Sequence, residues 1–232
     1  MKKFSIYFLV LALFTLFTTQ CKKDDNITTS GIPEQVSSQI PDSLFQVLKD
    51  LGMPIYEGNT PTTINGIYIV SPNKLKSSNI DGDVIGHIFN SDKIKFENQN
   101  NNSKEIYFQT KNDFTISTNE LSYISGEGDY FTVYSIVNSF KTNTSEDTTD
   151  IQQFLFMYSG KKSGNSDDIE NLYYSLLSTK EIKNTTNYFI KVGKGRVIYD
   201  SDKITASTNT FRLANEDWTP SKNYINPLTL KP

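Results

Sequence analysis

The chain has 232 residues, with 23 Lys+Arg against 26 Asp+Glu, a single histidine and a single cysteine. A net charge of −3 and basic pairs as small as Lys22-Lys23 and Lys161-Lys162 exclude a surface built to neutralise many phosphates, so nucleic acid is not an expected partner. One cysteine also excludes an intramolecular disulfide.

The N-terminus, Met1-Lys2-Lys3 followed by the apolar run Phe4 to Thr19, has the tripartite pattern of an export signal. Its apolar core, about 14 residues, falls short of the roughly 20 that a spanning helix needs. Residues 1–20 are therefore expected to be a signal peptide. Removing them takes away Lys2 and Lys3 and leaves 212 residues with a side-chain charge of about −5. That length suits a single all-β domain.

Cys21 ends the apolar run and opens the charged stretch Lys22-Lys23-Asp24-Asp25, a position that favours lipidation of its thiol. Thr18-Thr19-Gln20-Cys21 resembles a lipobox, with Thr18 and Gln20 standing where the family prefers Leu and a small residue. Cys-Lys-Lys-Asp-Asp is similar to the start of mature Bacteroidota lipoproteins, which use an acidic cluster just after the cysteine as a surface-export signal, and Lys22, Lys23, Asp24 and Asp25 would be that signal here. Leu51-Gly52-Met53-Pro54-Ile55-Tyr56-Glu57-Gly58 and Gly195-Arg196-Val197-Ile198-Tyr199-Asp200 also resemble uncharacterised lipoproteins of that group. The resemblance implies an outer-membrane protein, anchored by palmitate-type acyl chains on Cys21 and facing the cell exterior. Each buried CH₂ of such a chain contributes about 0.8 kcal/mol, so several chains hold stably where one holds marginally.

Residues 21–40 read as the lipidated cysteine and a flexible tether, because Asp24, Asp25, Asn26, Thr28, Thr29, Ser30 and Gly31 offer little apolar surface to bury. The single β domain is expected over 41–232. It opens with a helix over 43–51, where Leu44, Val47, Leu48 and Leu51 make one apolar stripe. Ser43 and Gln46 have capping-box spacing, Gly52 suits the left-handed position after the helix and Pro54 stops it.

From residue 64 the apolar period changes to two. Strands are expected over 64–70, 93–97, 105–109, 114–118, 130–140, 151–158, 169–178, 188–192 and 196–199, with Asn112-Asp113 and Gly126-Glu127-Gly128-Asp129 as turns. Gly193-Lys194-Gly195 marks either a bulge or a tight hairpin between the last two. Residues 201–232, with Pro220, Pro227 and Pro232, are expected to run extended over the surface, and Trp218 to pack on the domain.

Roughly eight strands with mostly short links predict an antiparallel meander, closed into a lipocalin- or avidin-like barrel. The alternative is a two-sheet sandwich, which the same strand count and alternation also fit.

Candidate chemistry is sparse. His87 is the only base a serine triad could use, and no Gly-X-Ser-X-Gly surrounds any serine, so a solvated histidine is the preferred reading. Asp81, Asp83, Gly86 and Asp92 occupy four positions of a calcium loop, but Ile85 stands at an oxygen-donor position and Asp92 replaces the bidentate glutamate. An Asp-Gly turn is preferred there. Glu97 and Glu105 flank one hairpin and could form a hydrolytic pair, or stand as outward strand charges. No catalytic residue, metal or cofactor is assigned.

What remains is aromatic: Tyr68, Tyr107, Tyr123, Tyr130, Tyr134, Tyr173, Tyr174 and Tyr188 could present flat faces to a glycan or small apolar ligand, though most belong in a core. The expected function is thus a non-catalytic, surface-anchored binding lipoprotein. The alternatives are an envelope glycan hydrolase and a structural or assembly subunit of an outer-membrane complex.

Overall fold

A computed structural model describes residues 31–111 and 120–211. Within them the chain forms two short helices, α1 (Glu34–Ser37) and α2 (Asp42–Asp50), and twelve strands. The strands are β1 (Asn59–Pro61), β2 (Gly66–Val70), β3 (Asn73–Ser78), β4 (Ile88–Phe89), β5 (Asp92–Asn100), β6 (Glu105–Lys111), β7 (Glu120–Gly128), β8 (Tyr130–Thr142), β9 (Thr148–Lys162), β10 (Ile169–Asn184), β11 (Gly195–Asp200) and β12 (Ile204–Thr208). The expected all-β class is observed. None of the helices among these residues is long and apolar enough to cross a membrane.

Eight strands close a ring in the order β2-β5-β6-β7-β8-β9-β10-β12, with β12 pairing back onto β2. Closure depends on β10. Its first residues, Ile169 and Glu170, pair with Thr205 and Ile204 of β12, while Tyr173 to Leu177 pair with Tyr199 to Gly195 of β11. One edge of one strand therefore serves two partners. The change of partner coincides with a register shift between Glu170 and Tyr173 on the β9 side, where Asn171 takes φ 51°. Such a bulge bends the strand and lets its two halves diverge. Beyond β11 the sheet continues through β3 to β4, outside the ring.

The alternation of side chains sorts the core. Ile94, Phe96, Ile106, Phe108, Ile124, Phe131, Val133, Tyr158, Leu172 and Tyr174 pack together inside the ring, on the face their period-two spacing selects. Phe96 lies at the centre of this cluster, with ring centroids 5.7 Å from Phe108, 6.1 Å from Tyr158 and 6.4 Å from Phe131. The opposite face of β8, β9, β10 and β11 supplies Tyr134, Leu155, Met157, Leu177 and Val197, and the helices cover it with Val36, Ile40, Phe45 and Leu48.

Several expectations are corrected. Residues 34–37, read as tether, fold as α1, and Val36 and the following Ile40 bury against the sheet. Helix α2 starts after Pro41 without a side-chain cap, and Gln46 donates to Asp50 rather than closing a box on Ser43. Its far end matches the reading: Gly52 at φ 75° donates to Lys49 O, and Met53 donates to Leu48 O, a Schellman pattern. Residues 73–78, which lie in none of the expected strands, form β3, and β7 runs over 120–128, taking in Gly126 to Gly128 of the expected turn.

Residues 188–192 do not form a strand with 196–199. Phe189 and Ile190 instead bury their side chains against Phe154 and Leu176. The extended-surface reading of 201–232 fails over Ile204–Thr208, which is the strand that closes the ring. A parallel pair, β1 on β7, departs from the all-antiparallel expectation. The strand expected at 114–118, the Asn112-Asp113 turn and Trp218 lie outside the described residues.

Two outcomes test this packing. Truncating the central ring with Phe96→Ala should cost about 3–5 kcal/mol of unfolding free energy in urea titration. Gly126 has φ 147° and a Cβ there would meet Tyr130 O at 2.1 Å, so Gly126→Ala should lower the thermal midpoint by several degrees in calorimetry.

Candidate functional site

Buried polar residues that an apolar core would not need occur at several places in the fold, Asp150 and Lys93 among them, and two of these places lie along β11. The first is a buried ion pair. Arg196 is the second residue of β11, at 1 % exposure, and its Nε and Nη2 donate to Asp83 Oδ2 and Oδ1 at 2.6 and 2.7 Å. The Ser78 hydroxyl donates to the same carboxylate. Burial works to raise the Asp83 carboxyl, yet the bonds from Arg196 and Ser78 and the guanidinium charge outweigh it, so the group titrates below its ordinary range.

This pair accounts for the calcium-loop resemblance. Both Asp83 oxygens are committed to Arg196, and Gly82 takes φ 90°, so the segment is a loop fixed by an ion pair. Asp92, the twelfth position of that pattern, is held elsewhere, by Asn73 and Tyr174. His87 packs edge-on against Phe89 at 4.8 Å, and Ser78 spends its proton on Asp83. The order serine to histidine to aspartate is not formed there.

The second place is a polar corner where β2 leads into β3 and β11 into β12. Asn73 and Asp200 are opposed residues of the antiparallel pair β3 and β11, and both are buried. Asn73 Nδ2 donates to Asp92 Oδ2 at 3.1 Å and to Asn90 O at 2.7 Å, and Tyr174 Oη donates to the same Asp92 oxygen at 3.2 Å. Thr205 of β12 donates to Asp200 Oδ2 at 2.8 Å. Among the described residues the remaining side-chain oxygens, Asn73 Oδ1 and Asp200 Oδ1, have no donor within hydrogen-bonding distance. Tyr158 stacks on Tyr174 at 5.5 Å and completes the wall.

Burial pushes the Asp200 carboxyl up, and the neighbouring Asp202 adds to the rise while Thr205 opposes it, leaving it at about 6. Burial, and then the Asp92 charge, hold the Tyr158 hydroxyl well above its usual value. Asp200 thus holds its proton more tightly than an ordinary carboxyl. Among the described residues no three His, Cys, Asp or Glu side chains converge as a metal-ligand set.

Other sequence candidates are scattered. Glu97 and Glu105 lie on the strand face opposite Phe96 and Phe108, where Lys95 bridges Glu97 at 2.6 Å and Ser103 donates to Glu105. The tyrosines divide: Tyr68, Tyr134 and Tyr174 are buried, Tyr107 and Tyr130 are exposed, and no single surface gathers them. Gly193 turns the chain into β11, where Gly195 donates to Asn79 Oδ1 rather than opening a helix. Cys21, Lys22, Lys23, Asp24 and Asp25 lie outside the described residues.

Asn73, Asp200 and Arg196 were not singled out from sequence. The available signal was Arg196, a full charge inside the apolar run Gly195 to Tyr199. Comparison of the chain with protein-family models, with curated proteins and with solved structures gave no match.

Two predictions follow from the charges. Arg196→Met leaves Asp83 buried without its partner and should cost about 3–5 kcal/mol, while adding Asp83→Leu should recover most of that loss in denaturant titrations. Asp200 has its folded pKa raised, so its contribution is complete below its ordinary value of 3.8 and lost as pH rises through about 6. Wild-type stability should therefore decline between about pH 4 and about pH 6, and Asp200→Asn should flatten that slope.

Proposed function

We propose that this chain is a lipid-anchored protein of the bacterial outer membrane, exposed to the exterior, whose β domain is a non-catalytic recognition scaffold. The support for the address is the apolar leader ending in Cys21-Lys22-Lys23-Asp24-Asp25 and its likeness to Bacteroidota lipoproteins. The observation that carries the scaffold reading is the filling of the ring by Phe96, Phe108, Phe131 and Tyr158. A core occupied in this way argues against a small ligand held along the axis. Recognition of a glycan or an apolar molecule would fall to the loops and outer surface, where the exposed Tyr107 and Tyr130 stand.

The hydrolase alternative gains no support from Glu97 and Glu105, which are engaged by Lys95 and Ser103. Metabolic labelling with a clickable fatty acid, followed by protease shaving of intact cells, tests the address. Label and shaving should both be seen in wild type, and Cys21→Ala should lose the label. A wild type that takes up no label would overturn the anchor.

A further inference from the structure

Two adjoining loops carry an apolar, basic surface that neither the core nor the corner explains. The β3–β4 loop, residues 79–87, and the turn before β11, residues 191–194, are joined through Asn79. Its Nδ2 donates to Gly193 O at 2.9 Å, its Oδ1 accepts from Gly195 N at 2.7 Å, and its carbonyl accepts from Lys194 Nζ at 2.7 Å. Asp83 is drawn inward to Arg196, and the two residues that follow are turned out. Val84 is 70 % exposed, Ile85 60 %, Ile88 62 % and Val192 47 %.

Apolar side chains exposed singly are ordinary, and Phe140, Ile182 and Ile204 are examples here, but four on two adjoining segments form a patch of the kind that marks a contact surface. Here the loop cannot relax inward, because its base is fixed by the Asp83–Arg196 pair and by Gly86 N donating to Leu75 O. The surrounding charge is cationic. Lys74 runs beside Gly86, its Cε 3.5 Å from where a Cβ would sit, and Lys191 and Lys194 flank Val192. The acids on the two loops are Asp81, which is exposed, and Asp83, which Arg196 neutralises. A chain with a net charge of −3 thus presents a locally positive face around its aliphatic tip.

We propose that this face docks on an anionic lipid bilayer, with Val84, Ile85, Ile88 and Val192 entering the headgroup region and Lys74 and Lys191 meeting the lipid charges. Anionic headgroups complement the lysines, and a fixed loop loses little conformational freedom on insertion. The contact is independent of acylation, so it stands or falls separately from the Cys21 anchor. In an acylated chain it would set how the domain lies on the membrane.

The single native cysteine makes the test direct. The full chain carrying Cys21→Ala and Ile85→Cys is labelled with an environment-sensitive fluorophore and mixed with phosphatidylcholine vesicles, with and without phosphatidylglycerol. A matching chain carries the label at Phe140→Cys, an exposed position near the end of β8. The expected result is a blue shift at position 85 with the anionic vesicles, reduced by high salt, abolished by Lys74→Glu with Lys191→Glu, and not seen at position 140. No shift at 85, an equal shift at 140, or a shift indifferent to headgroup charge would overturn the proposal. A shift that grows with protein concentration without vesicles would assign the face to a second copy instead.

Discussion

The divided edge of β10 is the constraint on which the rest of the fold depends. A strand edge offers one row of N–H and C=O groups, and here its first residues serve β12 while its middle serves β11. The first set of bonds closes the ring and encloses the aromatic core, which removes the exposed edges that an open sheet would leave. The second set carries the sheet outward through β3 to β4 and provides the broad outer face on which α1 and α2 lie. Both sets can form because β2 with β3, and β11 with β12, bend at the same level, where Ser201 N donates to Pro72 O at 3.0 Å. The two bends run side by side, so the ladder turns a corner without losing its register.

That corner is also where the interior becomes polar. Turning two paired strands leaves backbone and side-chain groups that cannot all be met by the ladder, and Asn73, Asp92, Thr205 and Asp200 supply the substitutes. The arrangement is not fully satisfied, since Asn73 Oδ1 and Asp200 Oδ1, on opposed residues of β3 and β11, are buried without a donor among the described residues. Buried acceptors in this state are costly, and the raised affinity of Asp200 for a proton is the electrostatic expression of that cost. Arg196 and Asp83 show the opposite outcome: a bidentate pair assisted by Ser78, in which each charge is compensated by the other. One fixes a loop in place, and the other leaves a titratable point inside the fold.

The two buried sites also divide the molecule into functional layers. The ring is occupied by its own aromatic side chains and acts as a rigid frame, while the loops at its periphery carry the exposed aliphatic and basic residues. Arg196 links these layers. It lies within the sheet and holds Asp83 at the base of the exposed loop, so the rigidity of the frame is transmitted to Val84 and Ile85. A lipid anchor, in the proposed reading, would supply address, and the loop face would supply orientation.

Much of this was legible in the residues alone, wherever the deciding interaction is local. The alternation of Lys93-Ile94-Lys95-Phe96-Glu97 against Glu105-Ile106-Tyr107-Phe108-Gln109 specified a hairpin with Phe96 and Phe108 on one face, and that is its register. Gly52 announced the end of α2 because left-handed backbone favours glycine. Ring closure was not legible. Ile204 to Thr208 looks like an ordinary polar tail, and only its pairing with residues of β10 and β2 more than thirty positions away makes it a strand. The same holds for the sites: Asp81-Gly82-Asp83 carries a cation-loop pattern by spacing, and a guanidinium 113 residues away decides that Asp83 is an ion-pair partner instead. The sequence by itself determined the strand periodicity, the all-β class and the N-terminal leader pattern, because these follow from neighbouring residues. The partners of β10, the polar corner and the commitment of Asp83 to Arg196 were decided only by tertiary structure, because each depends on which distant groups are brought within hydrogen-bonding reach.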